Sequence, residues 1–165
     1  MVKKDIETSF SASLVLPKII AHTLGFNDQI EIIDMLKEDN GDYSFTSDKS
    51  NYLEKIQEYF DKINIPEPFN ILSESQLKQY DLNIKECVDI ITSKRDISIK
   101  VYQYVALLFT EIYLDLYFNA KTTKDLDQFI SFLNRSLDKI NIEAEIESFK
   151  EEDLGKLCFW MATGS

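Results

Sequence analysis

A mostly α fold is predicted, a bundle of five to six helices around one central apolar helix, and three observations predict it. The 165 residues include only 4 Gly and 3 Pro, too few turn residues for many short strands and enough for long helices joined by few loops. Hydrophobic residues make up 44% of the chain and aromatic residues 12%, so one sizeable core can form and wholesale disorder is excluded. Apolar side chains also recur at spacings of three and four through most of the chain, the period of a one-sided helix.

Taken in order, Pro17 suits a first helical turn and Gly25 a left-handed cap, bracketing a short helix with Ile19, Ile20, Leu24 and the one histidine, His22. Asn27 is the expected N-cap of a second helix, in which Ile30, Ile33 and Leu36 recur before the Asn40-Gly41 turn. Leu53, Ile56, Phe60 and Ile63 define a third, ended by Pro66 and Pro68. Ser73 with Gln76 three residues later forms a capping-box pattern, and Leu77, Tyr80, Ile84, Cys87, Val88 and Ile91 follow on one face. From Ile99 to Phe118 the chain is apolar on almost every side, so other helices must surround it. Thr122 or Thr123 can cap a last helix whose stripe runs from Leu126 through Phe129, Ile130, Leu133 and Leu137 to Ile140. After the acidic stretch Glu143–Asp153, the apolar run Leu157-Cys158-Phe159-Trp160-Met161 precedes Thr163-Gly164-Ser165, the pattern of a buried parallel strand entering a phosphate-binding loop. Two units are therefore expected, a helical domain over residues 1–147 and the opening of an α/β domain over 148–165.

Composition also excludes functions. Lys and Arg number 18 against 29 Asp and Glu, a net charge of -11, whose field repels phosphate backbones and argues against a stand-alone nucleic-acid binder. Cys87 and Cys158 lack metal-ligand or framework spacing, which points to a reducing, cytoplasmic compartment. No export signal opens the chain. Within Val101–Phe118, Gln103, Thr110, Glu111 and Asp115 interrupt the apolar run, and a carboxylate at a bilayer centre costs about 2.5–3.5 kcal/mol, so a core helix and no membrane partner are expected. Gln103, Glu111 and Asp115 share one face, expected to meet water. Neither they nor His22 have the neighbours that metal binding or a triad would need, and Cys87 and Cys158 read as small core hydrophobes.

Lys156 to Ser165 resembles the strand and loop that open motif I in superfamily-two DEAD/DEAH-type helicases, especially the helicase subunits of type III restriction enzymes. In that family Ala-Thr-Gly-Ser is followed by Gly-Lys-Thr, and the chain reads as cut within the motif. Backbone N–H groups of such a loop surround the β-phosphate, the lysine neutralises charge and the hydroxyl residue holds magnesium. The resemblance implies nucleotide contact at Thr163, Gly164 and Ser165, and no catalytic residue in this chain, since the lysine is missing. A second stretch, Lys100-Val101-Tyr102-Gln103-Tyr104-Val105-Ala106, resembles the Arg-x-Tyr-Gln-x-x-Ala segment that these helicases place before motif I. There the glutamine reads adenine by a bidentate amide pairing, which implies a nucleotide-binding role for Gln103 and its neighbour Tyr102 and makes the helix after Thr123 an insertion. Membership would imply ATP and magnesium as cofactors of the intact parent, DNA as its partner, and a nuclease or methyltransferase subunit beside it. From the charge of -11 comes a different expectation, a stand-alone acidic α-helical binding module that inhibits a partner or mimics nucleic acid.

Overall fold

The computed structural model describes residues 15–38, 42–46, 48–93, 97–140 and 148–154. The first helix, α1 (Val15–Thr23), buries Val15, Ile19, Ile20 and Ala21. Gly25 ends it at a φ of 88°, the left-handed region that favours glycine, and a Cβ there would collide with the Ile63 side chain. Helix α2 (Gln29–Glu38) follows. Its N-cap is Asp28 and not the expected Asn27: Asp28 Oδ1 accepts from the Ile30 and Glu31 N–H groups at 2.8 and 3.0 Å, a carboxylate that both satisfies free donors and meets the positive helix end. Asn27 instead donates its backbone and side-chain N–H to Glu31. The buried positions of α2 are Ile32 and Leu36, with Ile30 turned to solvent.

A two-stranded antiparallel hairpin that periodicity did not reveal pairs β1 (Phe45–Thr46) with β2 (Lys49–Ser50), Phe45 opposite Ser50 and Thr46 opposite Lys49. It leads directly into α3 (Asn51–Phe60), whose N-cap Ser50 accepts from the Leu53 N–H at 3.0 Å. Helix α4 (Glu74–Thr92) opens with the expected capping box: Ser73 N–H donates to Gln76 Oε1 at 3.0 Å and Gln76 N–H to Ser73 Oγ at 3.3 Å. Leu77, Tyr80, Asp81, Ile84 and Val88 are buried, whereas Cys87 and Ile91, expected in the core, are exposed. Cys87 lies a full residue step around the helix from Val88, off the buried face.

Helix α5 (Val101–Thr123) packs against α1, α2, α4 and α6 and is the centre of the bundle. Tyr104, Val105, Leu108, Phe109, Ile112 and Tyr113 are buried along it, each large apolar side chain stabilising by about 1.5–3 kcal/mol. It runs through Thr122 and Thr123, which therefore cap nothing; Thr123 Oγ1 donates back to the Asn119 carbonyl at 2.8 Å. A left-handed Lys124 (φ 57°) ends α5, and Asp125 takes the N-cap position of α6 (Leu126–Leu137) while its N–H bonds the Ala120 carbonyl. Phe129, Phe132 and Leu133 turn α6 inward. The last described element is one turn, α7 (Glu151–Leu154), tied to the bundle by Phe149 N–H on Asn134 Oδ1 at 2.7 Å and by a buried Leu154. The described residues are thus mostly helical, with seven helices where five to six were expected. The run Leu157–Met161, expected as a strand, lies outside the described residues.

Candidate functional site

Three places bring polar groups together, and they differ in what can reach them. The first is the seam between α4 and α5. Tyr80 OH donates to Asp115 at 2.7 Å, Asn119 Nδ2 donates to the same carboxylate at 2.9 Å, and Asn83 Nδ2 donates to Glu111 at 2.7 Å. The stripe expected to face water is therefore half-buried and bonded across to α4 at Glu111 and Asp115, because residues one helical turn apart on each helix, Tyr80 and Asn83 against Glu111 and Asp115, face each other along the seam. Burial, then the bond to Asp115, pushes the Tyr80 hydroxyl above its ordinary value of 10. Among the described residues no group of three His, Cys, Asp or Glu side chains could hold a metal ion.

The second is a fully buried triad of Ser50, Asp81 and Tyr104, drawn from the end of β2, from α4 and from α5. Asp81 accepts from the Ser50 N–H and the Ser50 hydroxyl, both at 2.6 Å, and from Tyr104 OH at 2.7 Å. The carboxyl thereby sits at the N-terminus of α3, where free N–H groups and the helix dipole favour it. Burial and the neighbouring Asp81 raise the Tyr104 pKa, so its hydroxyl keeps its proton as a donor. A serine beside a carboxylate invites comparison with a nucleophile and its partner. Here Ser50 and Asp81 are sealed from solvent and Ser50 Oγ is already engaged as an N-cap, so the triad is a structural lock. Tyr43 packs on Tyr52 and Tyr104 above it, and its buried hydroxyl has no hydrogen-bond partner among the described residues. His22 stacks on Phe69 at 4.8 Å, and burial lowers its pKa below 6.5.

The third is open. The last turns of α4, the segment 97–100 and the first three turns of α5 enclose a groove of about 650 Å³, within the size range of ligand sites. Val88, Ile91, Ile97, Ile99, Ala106 and Leu107 make it apolar, and Tyr102 and Gln103 stand in its wall. Thr92 and Thr110 also line it, but their hydroxyls donate to Val88 and Ala106 carbonyls of their own helices. Gln103 Oε1 accepts from the Lys100 N–H at 2.9 Å, reaching back to cap its own helix; its amide NH2 has no partner among the described residues. One lone pair of that oxygen and both amide hydrogens stay open to a ligand. Lys100 Nζ lies at the edge, 3.7 Å from Asp42.

Of the five residues singled out in sequence, Tyr102 and Gln103 fall in this groove, and Thr163, Gly164 and Ser165 lie outside the described residues. The groove itself was not legible, since its apolar residues belong to three separate segments and only Ile97 and Ile99, in a non-helical stretch before α5, hint at it. Among the described residues no helix is long and apolar enough to cross a membrane. No protein-family model matches the chain, and comparison with curated proteins and with solved structures gave no match.

Proposed function

We propose that the chain is the N-terminal helical domain of an ATP-dependent DNA helicase or translocase of the restriction-enzyme type, acting as scaffold or recognition module for an ATPase domain that begins near residue 148. The observation that carries this reading is where Tyr102 and Gln103 sit. Tyr102 and Gln103 line the one face of α5 that opens into a groove, and the chain leaves the described bundle at Leu154, whose carbonyl accepts from Tyr113 OH on the same helix at 2.6 Å. ATP and magnesium would be cofactors of the intact protein and duplex DNA its partner, with a nuclease or methyltransferase subunit beside it. The lysine and hydroxyl residue that phosphoryl transfer needs are not in this chain.

The test compares this chain with a form extended through the following encoded residues. Gly-Lys-Thr or Gly-Lys-Ser encoded directly after Ser165, ATP hydrolysis by the extended form that DNA stimulates, and a raised KM for ATP in Gln103→Ala are the expected results. A different continuation, or an extended form that binds no ATP, overturns the reading.

The charge of -11 supports a second reading, an acidic binding module that occupies a DNA-binding surface on another protein. It predicts salt-sensitive competition with duplex DNA for such a protein. Competition that persists unchanged at high salt, or none at low salt, removes it.

A further inference from the structure

The segment 148–154 is held on the bundle by side chains that grip its backbone. Its helical part, α7, is a single turn of four residues, and isolated helices shorter than about 12–15 residues do not persist in water, so what keeps this turn formed comes from α5 and α6. Two of their side chains supply it, one near each end. Asn134 of α6 closes on Phe149 with its whole carboxamide: Oδ1 accepts from the Phe149 N–H at 2.7 Å and Nδ2 donates to the Phe149 carbonyl at 3.2 Å, the two groups that a neighbouring strand would engage. Tyr113 of α5 donates its hydroxyl to the Leu154 carbonyl at 2.6 Å. Beside these clasps Leu154 is buried and Phe149 packs against the core, while Lys150, Glu151 and Glu152 between them are exposed. The bonds from Asp153 N–H to the Lys150 carbonyl at 3.0 Å and from Lys150 N–H to Asp153 at 3.1 Å stay inside the segment.

A turn that cannot nucleate by itself forms only while both ends are held, so releasing one clasp frees the other. Opening exposes little more than Phe149 and Leu154, a small part of the core, and therefore takes far less free energy than global unfolding. We propose that residues 148–154 are a strap that opens and closes as one unit on α5 and α6, with Asn134 and Tyr113 as its clasps, and that the closed strap sets where the following domain stands. The second half rests on the helicase reading, in which the strap is the start of the ATPase domain and Asn134 and Tyr113 are positioning residues. Tyr113 and Gln103 are ten residues apart on α5, about 15 Å along one helix, so the closed strap holds the entry to that domain at a fixed distance from Gln103.

Amide exchange of this chain, followed by NMR, tests the strap by loosening one end and reading the other. In the parent, the Phe149 and Asp153 N–H groups are expected to share one protection, far weaker than that of the buried Leu108 on α5 and nearly independent of low urea, because little surface opens. In Tyr113→Phe the Phe149 N–H, whose acceptor Asn134 is intact, is expected to exchange about two- to tenfold faster, the worth of one hydrogen bond. Leu154→Ala, which alters only the strap, has the same effect, and Asn134→Ala speeds the Asp153 N–H at least as much. A Phe149 rate unchanged in Tyr113→Phe or in Leu154→Ala overturns the strap, since the two ends would then be independent tethers. Protection and urea dependence equal to those of Leu108 overturn it as well, because the segment would open only with the bundle. In the extended form, Asn134→Ala and Tyr113→Phe are expected to lower kcat of DNA-stimulated ATP hydrolysis several-fold with KM for ATP unchanged, unlike Gln103→Ala. An unchanged kcat overturns the positioning role. An extended form without ATPase activity overturns the helicase reading and that role with it, and the strap then stands or falls on its exchange.

Discussion

Replacing Asp81 removes the one acceptor shared by three elements of the bundle, and the cost can be worked from the donors it leaves. Asp81 is 0% exposed, and its carboxyl receives the Ser50 N–H, the Ser50 hydroxyl and Tyr104 OH within 2.7 Å. In Asp81→Ala the Ser50 and Tyr104 hydroxyls, 3.4 Å apart, can turn to each other, so two buried donor hydrogens lose their acceptor. At about 1–3 kcal/mol for each orphaned donor the loss is about 2–6 kcal/mol. That is a large share of the ~5–15 kcal/mol that holds a domain of this size together. Asp81→Asn keeps the oxygen facing Tyr104 and turns an NH2 toward the Ser50 N–H, leaving that N–H and the buried NH2 without an acceptor at a cost of at least about 1–3 kcal/mol. Tyr104→Phe takes away one donor and leaves the carboxyl two, costing about 1.5–3 kcal/mol as a bond to a carboxyl group. Equilibrium urea unfolding at neutral pH, followed by far-UV circular dichroism, measures all three. An Asp81→Asn variant within about 0.5 kcal/mol of the parent, or more stable than it, would refute the reasoning, because desolvation of the carboxyl would then outweigh the bonds it accepts.

Three further outcomes are expected. Burial lowers the His22 pKa below its ordinary 6.5, so the unfolded chain binds this proton first as pH falls; the contribution of a neutral His22 is complete above 6.5 and is lost as pH drops from 6.5 toward the folded-state value. Urea midpoints of His22→Gln and the parent should converge below 6.5, and parallel curves would disprove the linkage. Gly25→Ala forces a side chain into a left-handed φ of 88° and against Ile63, which costs at least about 1–2 kcal/mol from the backbone alone; an unchanged melting temperature would contradict that geometry. Leu108→Ala empties a fully buried position on α5 at about 2–5 kcal/mol, whereas the exposed Ile90→Ala is expected to stay within about 0.5 kcal/mol of the parent; equal losses at the two positions would place α5 away from the centre.

The fold class and most helix positions were legible because helix formation is local. The spacing of Leu53, Ile56 and Phe60, the Ser73–Gln76 box and the turn at Gly25 each act over a few residues, and the structure carries all three. The unbroken apolar character of Val101–Phe118 likewise implied a helix enclosed by others, which is how α5 packs. Tyr102 and Gln103 were legible as residues worth watching, but their setting was not.

Where sequence reading went astray, the deciding partner is distant in the chain. Ser50, Asp81 and Tyr104 are separated by 31 and 23 residues, and no local pattern announces that a carboxyl on an apolar helix face will meet two hydroxyls. Cys87 and Ile91 sit near the stripe of α4, yet Cys87 lies a step around the helix from Val88 and Ile91 borders the open groove, so both stay outside the core. Asp28 displaced Asn27 as a cap and Lys124 displaced the threonines as a boundary, each by a residue or two, because the cap follows from which backbone groups packing leaves unpaired. Periodicity is a property of one segment and names its inward face. Which neighbour meets that face, how far the contact extends and where a groove stays open depend on the lengths and crossings of other helices, and only packing in three dimensions sets those.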